Sequence, residues 1–234
     1  MMDFFSFIDN FFAFYLAKSA WELLAVFLAI AYLALAMKEN NWCWPAALIS
    51  TIIYIFLFWD VSLVMDSLLQ VYYMLMAIYG WWMWRSKNQE NNSINNGVEA
   101  ASVTSIADEQ IKNTLKISNW PWSMHVLAIS SVLVISGVSG FFLSKNTAAA
   151  WPFLDSFTTW GSVLTTYMVA KKILENWLYW IVIDSVAVFV YIERGLYPTA
   201  GLFIIYVGMV IYGYFVWKKI YNEENKIVAE PISS

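Results

Sequence analysis

Three side chains suited to holding a flat, positively charged ring fall on one face of a predicted helix. Trp177, Trp180 and Asp184 stand at i, i+3 and i+7, a spacing that places two indoles and a carboxylate on the same side. An indole face attracts a cation by about 0.5–2 kcal/mol, and more when the contact is dry. The stripe is therefore a candidate for the substrate path, and indoles facing each other from two parts of the chain would make an aromatic cation a natural guest. The alternative is that Asp184 makes a structural hydrogen bond to another helix.

A second polar stripe lies in an earlier apolar stretch, where Gln70 and Tyr73 follow Asp66 at i+4 and i+7. A polar group in such a stretch costs several kcal/mol unless it faces a cavity or a partner, so each one is a candidate for a substrate path. The Gln70 amide offers an acceptor and a donor side by side, which allows two-point pairing with a carboxamide or with the edge of a base. Its alternative role is a hydrogen bond between helices.

Two Asn residues accompany the tryptophans near predicted helix starts. Trp44 and Trp180 each stand five residues after a Glu, and this order pairs them as facing indoles from two parts of the chain. Alternatively, Trp44 and Trp177 mark a membrane interface. Asn41 and Asn176 could bind ribose-like hydroxyls, or they could simply cap the helices that follow.

One block of landmarks occurs twice in the chain. It consists of Glu-Asn, a Trp five residues after the Glu, Tyr-Gly, and a Trp four residues after the Gly. The copies are Glu39-Asn40, Trp44, Tyr79-Gly80 and Trp84, and then Glu175-Asn176, Trp180, Tyr212-Gly213 and Trp217. The second copy has three fewer residues between its second and third landmarks. Trp84 and Trp217 precede basic residues, so we interpret them as membrane-surface anchors. The repeat predicts two related helical halves.

The composition is that of a membrane protein. Hydrophobic residues make up 61% of the chain and charged residues 13%, with a mean hydropathy of +0.59; water-facing domains carry about 25% charge. No Lys/Arg cluster interrupts the apolar segments, which argues against nucleic acid. The single Cys43 excludes an internal disulfide and makes a Cys-based metal site improbable. We expect no cofactor and no catalytic arrangement, so the protein is not predicted to be an enzyme.

Seven stretches are long enough, or nearly so, to span the roughly 30 Å hydrocarbon core as helices. They are residues 21–37, 43–59, 66–84, 122–143, 153–170, 177–193 and 199–217. Residues 1–20 are predicted to form an interfacial helix, because Asp9 and Asn10 interrupt a short apolar run. The polar segment 85–121 is predicted to be a cytoplasmic linker, and residues 220–234 a cytoplasmic tail.

The predicted topology follows from the basic residues and from the repeat. Ten Lys and Arg residues fall on one side of the spans and three on the other, which places the N-terminus outside and the C-terminus in the cytoplasm. Repeats of three helices, residues 21–84 and 145–219, need one connecting helix, residues 122–144, to keep the same orientation. The fold is therefore predicted to be an all-α membrane protein with a 3+1+3 parallel-repeat arrangement, as in small-molecule transporters. No Lys or Arg lies within the predicted spans, so phosphorylated substrates are disfavoured.

The landmarks together resemble a known family. The segments that carry the resemblance are Glu39 to Pro45, Gln70, Tyr79 to Trp84, Glu175 to Trp180, Tyr212-Gly213 and Trp217. From residue 21 to residue 219 the chain resembles the PnuC family of bacterial nicotinamide riboside transporters. That resemblance implies a multi-pass protein of the bacterial inner membrane, a homotrimer, a SWEET-like plan and facilitated diffusion. It also implies that a cytoplasmic riboside kinase traps the imported vitamin by phosphorylation.

Binding residues follow from the resemblance and from position. By similarity, the substrate-binding role falls on Trp44, Gln70, Asn176, Trp177 and Trp180. Asn41, Tyr73 and Asp184 are added because of their helical position and polarity. We expect the two halves to rock about a central site between them. The alternatives are a SWEET-like sugar carrier, a carrier of another nucleoside or vitamin, and a membrane receptor that binds without transport.

Overall fold

The computed structural model describes residues 20–60, 64–94, 115–146, 151–193 and 197–229. Within these ranges the chain forms seven α-helices. They are α1 (Ala20–Met37), α2 (Cys43–Asp60), α3 (Val64–Ile94), α4 (Trp122–Asn146), α5 (Pro152–Ala170), α6 (Asn176–Glu193) and α7 (Tyr197–Ala229). Each predicted span coincides with one helix, which confirms the all-α class. The predicted N-terminal interfacial helix lies outside the described residues, apart from Ala20.

Length and hydropathy single out three of these helices as candidate membrane spans. They are Trp122–Asn146, Asn176–Glu193 and Thr199–Lys226. Shorter apolar helical segments cover Leu23–Met37 and Cys43–Leu57.

Two helices run past the predicted membrane boundary. The third span was predicted to end at residue 84, but α3 continues to Ile94, inside the predicted linker. The last span was predicted to end at residue 217, but α7 continues to Ala229. Hydropathy marks where a chain leaves an apolar environment, whereas a helix can continue into a polar one because its backbone hydrogen bonds are internal.

Helix boundaries recur at a constant distance along the chain. The helices α2 (residues 43–60) and α6 (176–193) have equal lengths, so one offset, from position 43 to position 176, relates both of their bounds. This repeat offset also relates the starts of α3 and α7, at positions 64 and 197, and the ends of α1 and α5, at positions 37 and 170. We therefore call α1–α3 the first half and α5–α7 the second half, with α4 between them.

The turns after α1 and α5 repeat in detail. The Asn40 N–H donates to the carbonyl of Leu35 at 3.0 Å, and the Ile173 N–H donates to the carbonyl of Met168 at 2.9 Å. The repeat offset relates both the donors and the acceptors of these two bonds. The equivalence of the two halves therefore extends from helix bounds to individual backbone hydrogen bonds.

The two halves pack against each other around a shared core. The helix α3 packs against α5, and α1 packs against α7, so the first helix of each half contacts the last helix of the other. The connecting helix α4 packs on α5, where Gly140 lies against Phe153 and the Ser136 hydroxyl donates to the carbonyl of Ser156 at 3.3 Å. Most other side chains of α4 are exposed.

Candidate functional site

In the first half, Trp44 joins α2 to α3. Its side chain is 1% exposed, and its six-membered ring lies so close to Gly80 that a Cβ there would overlap it. The ring also meets Trp84 edge-on, with centroids 5.2 Å apart and planes at 85°. Gly80 is therefore required by the close approach of an indole to the α3 backbone.

The second half builds the same arrangement around Trp177. Its side chain is 1% exposed, a Cβ at Gly213 would lie 2.7 Å from its ring, and it meets Trp217 edge-on at 5.2 Å and 86°. The structural equivalent of Trp44 is thus Trp177, and the sequence-based pairing of Trp44 with Trp180 was wrong. With the corrected pairing, the spacing from this Trp to the Tyr-Gly step is the same in both halves, and the Glu-Asn pairs are no longer equivalent.

Trp84 and Trp217 lie between the halves, so their interpretation as membrane-surface anchors was wrong. They are 4% and 0% exposed, and their rings are 6.3 Å apart. The Trp84 indole N–H donates to the carbonyl of Ala170 at 3.2 Å, and the Trp217 indole N–H donates to the carbonyl of Ala36 at 3.1 Å. Each indole therefore satisfies a carbonyl in the last turn of a helix of the opposite half.

Four buried polar atoms near the starts of α2 and α6 make no hydrogen bond within the described part of the chain. They are Oδ1 of Asn41 and Asn176 and Nε1 of Trp44 and Trp177. Asn176 uses its other amide atom, because Nδ2 donates to the carbonyl of Ile173 at 2.6 Å. Buried polar atoms are normally paired, so these two acceptors and two donors are candidates for contact with a polar guest.

A second cluster of polar side chains lies deeper along the helices and draws its members from several of them. Asp184 of α6 is 5% exposed. Tyr73 of α3 lies near Ser162 of α5, near Asp184 and near Tyr32 of α1. The structure therefore brings the predicted residues Tyr73 and Asp184 together, and it adds Ser162 and Tyr32.

Gln70 and Trp180 are partly buried at intermediate positions. Gln70 lies about one turn before Tyr73 on α3, and Trp180 lies about one turn before Asp184 on α6. Trp180 also packs against the buried core shared by the halves. The predicted residues thus fall into a tryptophan and asparagine group near the starts of α2 and α6, and a carboxylate and tyrosine group deeper in the helices.

A basic residue lies in the turn that connects α5 to α6, near the tryptophan and asparagine group. Lys171, in the turn after α5, hydrogen-bonds with the Tyr79 hydroxyl, and this bond raises the pKa of Lys171. Its Nζ also lies 5.4 Å from the centre of the Tyr79 ring. Among the residues that the structure describes, no group of three or more His, Cys, Asp or Glu side chains could hold a metal ion.

The helical fold, the apolar spans and the polar groups buried among them are those expected of a membrane transporter. Residues 19–219 match the family described as nicotinamide mononucleotide transporter. This match covers most of the chain, and the protein belongs to that family. The resemblance predicted from the sequence is confirmed.

Individual relatives agree with this assignment. The riboflavin/roseoflavin transporter RibM of Streptomyces davaonensis is 22% identical over 196 residues, covering 84% of this chain and 83% of its own. The nicotinamide riboside transporter PnuC of Escherichia coli is 21% identical over 201 residues, covering 84% of each chain. The crystal structure of the vitamin B3 transporter PnuC matches with a TM-score of 0.66 and 18% identity, over 93% of this chain and 89% of that one. This chain therefore shares the fold of that structure.

Proposed function

We propose that this protein carries nicotinamide riboside into a bacterial cell across the inner membrane. The family match and the similarity to PnuC support a vitamin of this type. The RibM relative makes riboflavin the second candidate. The choice between the two rests on the charge of the buried polar groups.

The observation that carries the proposal is the burial of Asp184 in α6. No Lys or Arg lies within the predicted spans, so no basic side chain of these spans balances its carboxylate. A buried carboxylate is costly unless an opposite charge or hydrogen bonds compensate it. The pyridinium ring of nicotinamide riboside is a cation, whereas the riboflavin ring and sugars are neutral. Asp184 therefore favours the riboside.

The lack of basic residues also favours a riboside over a nucleotide, although the family description names the mononucleotide. Phosphate recognition in proteins usually relies on Arg or Lys. In the predicted spans neither type occurs. A phosphate would have to cross without a cationic partner, so the unphosphorylated vitamin is the better substrate.

The binding site is proposed to include both polar groups. Indoles hold the nicotinamide ring, Gln70 or an Asn pairs with the carboxamide, and Asp184 or Asn41 takes the ribose hydroxyls. The proposed contacts are Asn41, Trp44, Gln70, Tyr73, Asn176, Trp177, Trp180 and Asp184. The unpaired Oδ1 and Nε1 atoms near the starts of α2 and α6 support this choice.

Transport is proposed to occur by rocking of the two halves in a 3+1+3 parallel-repeat arrangement like that of SWEET proteins. The constant repeat offset between equivalent helices and contacts supports this plan. The N-terminus lies outside and the C-terminus in the cytoplasm, and the protein works as a homotrimer. A cytoplasmic kinase phosphorylates the imported riboside, so facilitated diffusion suffices and no ion is coupled.

Calorimetric titration of the purified protein tests the substrate. We expect saturable binding of nicotinamide riboside and no measurable binding of nicotinamide mononucleotide or glucose. Riboflavin binding with higher affinity than the riboside would instead support the second candidate. Uptake into sealed proteoliposomes tests the mechanism, because accumulation above the external concentration without a kinase would exclude facilitated diffusion.

A further inference from the structure

An ion pair between Glu39 and Lys172 joins the two halves of the molecule. Nζ of Lys172 lies 2.6 Å from Oε1 of Glu39, and the side chains are only 14% and 19% exposed. Glu39 lies in the turn after α1, and Lys172 lies in the turn after α5. The pair therefore links the ends of equivalent helices.

The backbone at both residues is left-handed, with φ of 52° at Glu39 and 53° at Lys172. The repeat offset relates these two positions, as it relates the other equivalent contacts. Glycine adopts this conformation more easily than other residues. The turns nevertheless carry long side chains of opposite charge, and these side chains meet. Two acids or two bases at equivalent positions would repel each other across the same gap.

The ion pair lies next to the two tryptophans whose indole N–H groups donate from one half to the other. Lys172 Nζ lies 4.7 Å from the centre of the Trp84 ring. Trp84 and Trp217 bond to carbonyls at the ends of α5 and α1, close to the same two turns. Cys43, at the start of α2, is fully buried in the same cluster. A single layer of side chains thus closes this end of the interface between the halves, and it consists of Glu39, Lys172, Trp84 and Trp217.

The end of the predicted linker braces the Lys172 turn. Ser118 donates its N–H to the carbonyl of Lys172 at 3.0 Å and accepts from the N–H of Leu174 at 2.9 Å. The Glu224 carboxylate of α7 bonds to the backbone of Ile117, with Glu39, Lys116 and Lys172 within electrostatic range. The charged groups around the pair therefore come from several separate segments of the chain.

We propose that Glu39 and Lys172 form an ionic latch that holds this end of the two halves closed. Substrate release on this side requires the pair to separate and the crossed indoles to part. By the basic-residue count this is the cytoplasmic side, because Lys171 and Lys172 both lie there. The latch rests on the proposed transport function for its purpose, but its existence can be tested without any ligand.

The single cysteine of the chain is a natural reporter of this closure. Cys43 is fully buried, so in purified full-length protein we expect a maleimide to react with it slowly. Because Glu39→Gln and Lys172→Gln each break the latch, each should accelerate the reaction at least fivefold. The double swap Glu39→Lys with Lys172→Glu restores opposite charges and should bring the rate back towards that of the unmodified protein.

A matched control removes another ion pair. Lys219 lies 3.9 Å from Glu223 on the exposed face of α7. Lys219→Gln should leave the labelling rate unchanged. Equal rates in Glu39→Gln, Lys172→Gln and Lys219→Gln, at unchanged thermal stability, would overturn the latch. If Glu39→Gln and Lys172→Gln also lose thermal stability, the double variant Glu39→Lys with Lys172→Glu provides the test. Fast labelling of Cys43 in that double variant, at normal stability, would also overturn the latch. Since no substrate is added, a failed latch and a wrong substrate are separate results.

Discussion

Trp44 and Trp177 occupy equivalent positions in the two halves, each pressed on a glycine and edge-on to a second tryptophan, Trp84 or Trp217. Both indoles are parts of the scaffold, since they hold α2 on α3 and α6 on α7. Within the described residues their Nε1 atoms have no hydrogen-bond partner and can donate to a guest. Replacing either indole would therefore change packing as well as binding, and cleaner tests use their neighbours.

Gly80→Ala should destabilise the protein, because the new methyl group would overlap the Trp44 ring. Overpacking of this kind costs about 1–3 kcal/mol. Thermal unfolding in detergent measures the effect. Gly208→Ala is the matched control, since a Cβ there meets nothing within 4 Å and Ala favours a helix. Equal melting temperatures for the two variants would contradict the close packing.

Trp84→Phe and Trp217→Phe should each lower stability by about 1–2 kcal/mol, because each leaves a buried helix-end carbonyl without its indole donor. The aromatic ring remains, so most packing is kept. The exposed Trp82 provides the control, and Trp82→Phe should melt like the unmodified protein. A similar loss in all three variants would show that the crossed bonds contribute nothing specific.

Asp184→Asn should weaken riboside binding at least tenfold, because it removes the buried carboxylate that we propose balances the charge of the cationic substrate. Affinity for a neutral ligand such as riboflavin should change little. Calorimetry on both ligands separates charge from shape. The adjacent, exposed Ser185 is the control, and Ser185→Ala should bind normally. Unchanged riboside affinity in Asp184→Asn would remove the main argument for a cation.

Gln70→Phe copies the second half into the first, since Phe203 is the residue that the repeat offset makes equivalent to Gln70. We expect an intact fold with riboside affinity reduced at least tenfold, because the carboxamide partner is lost. Leu68→Phe, at an exposed position on the same helix, controls for added bulk. Binding is measured calorimetrically and folding by size-exclusion chromatography. Full affinity in Gln70→Phe would place the carboxamide contact elsewhere.

Apolar length and periodicity were sufficient to predict the helices. The predicted spans 43–59 and 177–193 differ from α2 and α6 by one residue at one end. The span predicted to begin at residue 153 corresponds to α5, which begins one residue earlier at Pro152, where a proline loses no hydrogen bond. The predicted ends of α3 and α7 were too early, because polar residues continue both helices.

Residue identity offered two registers for the repeat, because the Tyr-Gly steps with Trp84 and Trp217 match at one offset and the Glu-Asn pairs match at another. The turns that define it are centred on Glu39 and Lys172, which share a backbone conformation but have opposite charges. The sequence comparison instead aligned the two Glu-Asn pairs. Glu39 is at the centre of its turn, whereas Glu175 lies three residues after Lys172. Backbone geometry and the equivalent tryptophan–glycine contacts decide between these two registers.

The polar site was only partly predictable. Tyr73 and Asp184 stood out because polar groups in apolar stretches are costly. Ser162 and Tyr32 carry no such signal, since a Ser can bond within its own helix and a Tyr suits an apolar face. Only the packing of α1, α3, α5 and α6 brings these four side chains within range of one another.

The parallel bridge between Ser118 and Ile173 attaches the chain that leads into α4 to the second half. A break in the polypeptide between Ile94 and Leu115 would therefore leave a C-terminal fragment that keeps this attachment intact. The first half would still meet that fragment through α3 on α5 and α1 on α7. We therefore expect the two halves to assemble through their interface, so that two co-expressed polypeptides divided in this segment should copurify.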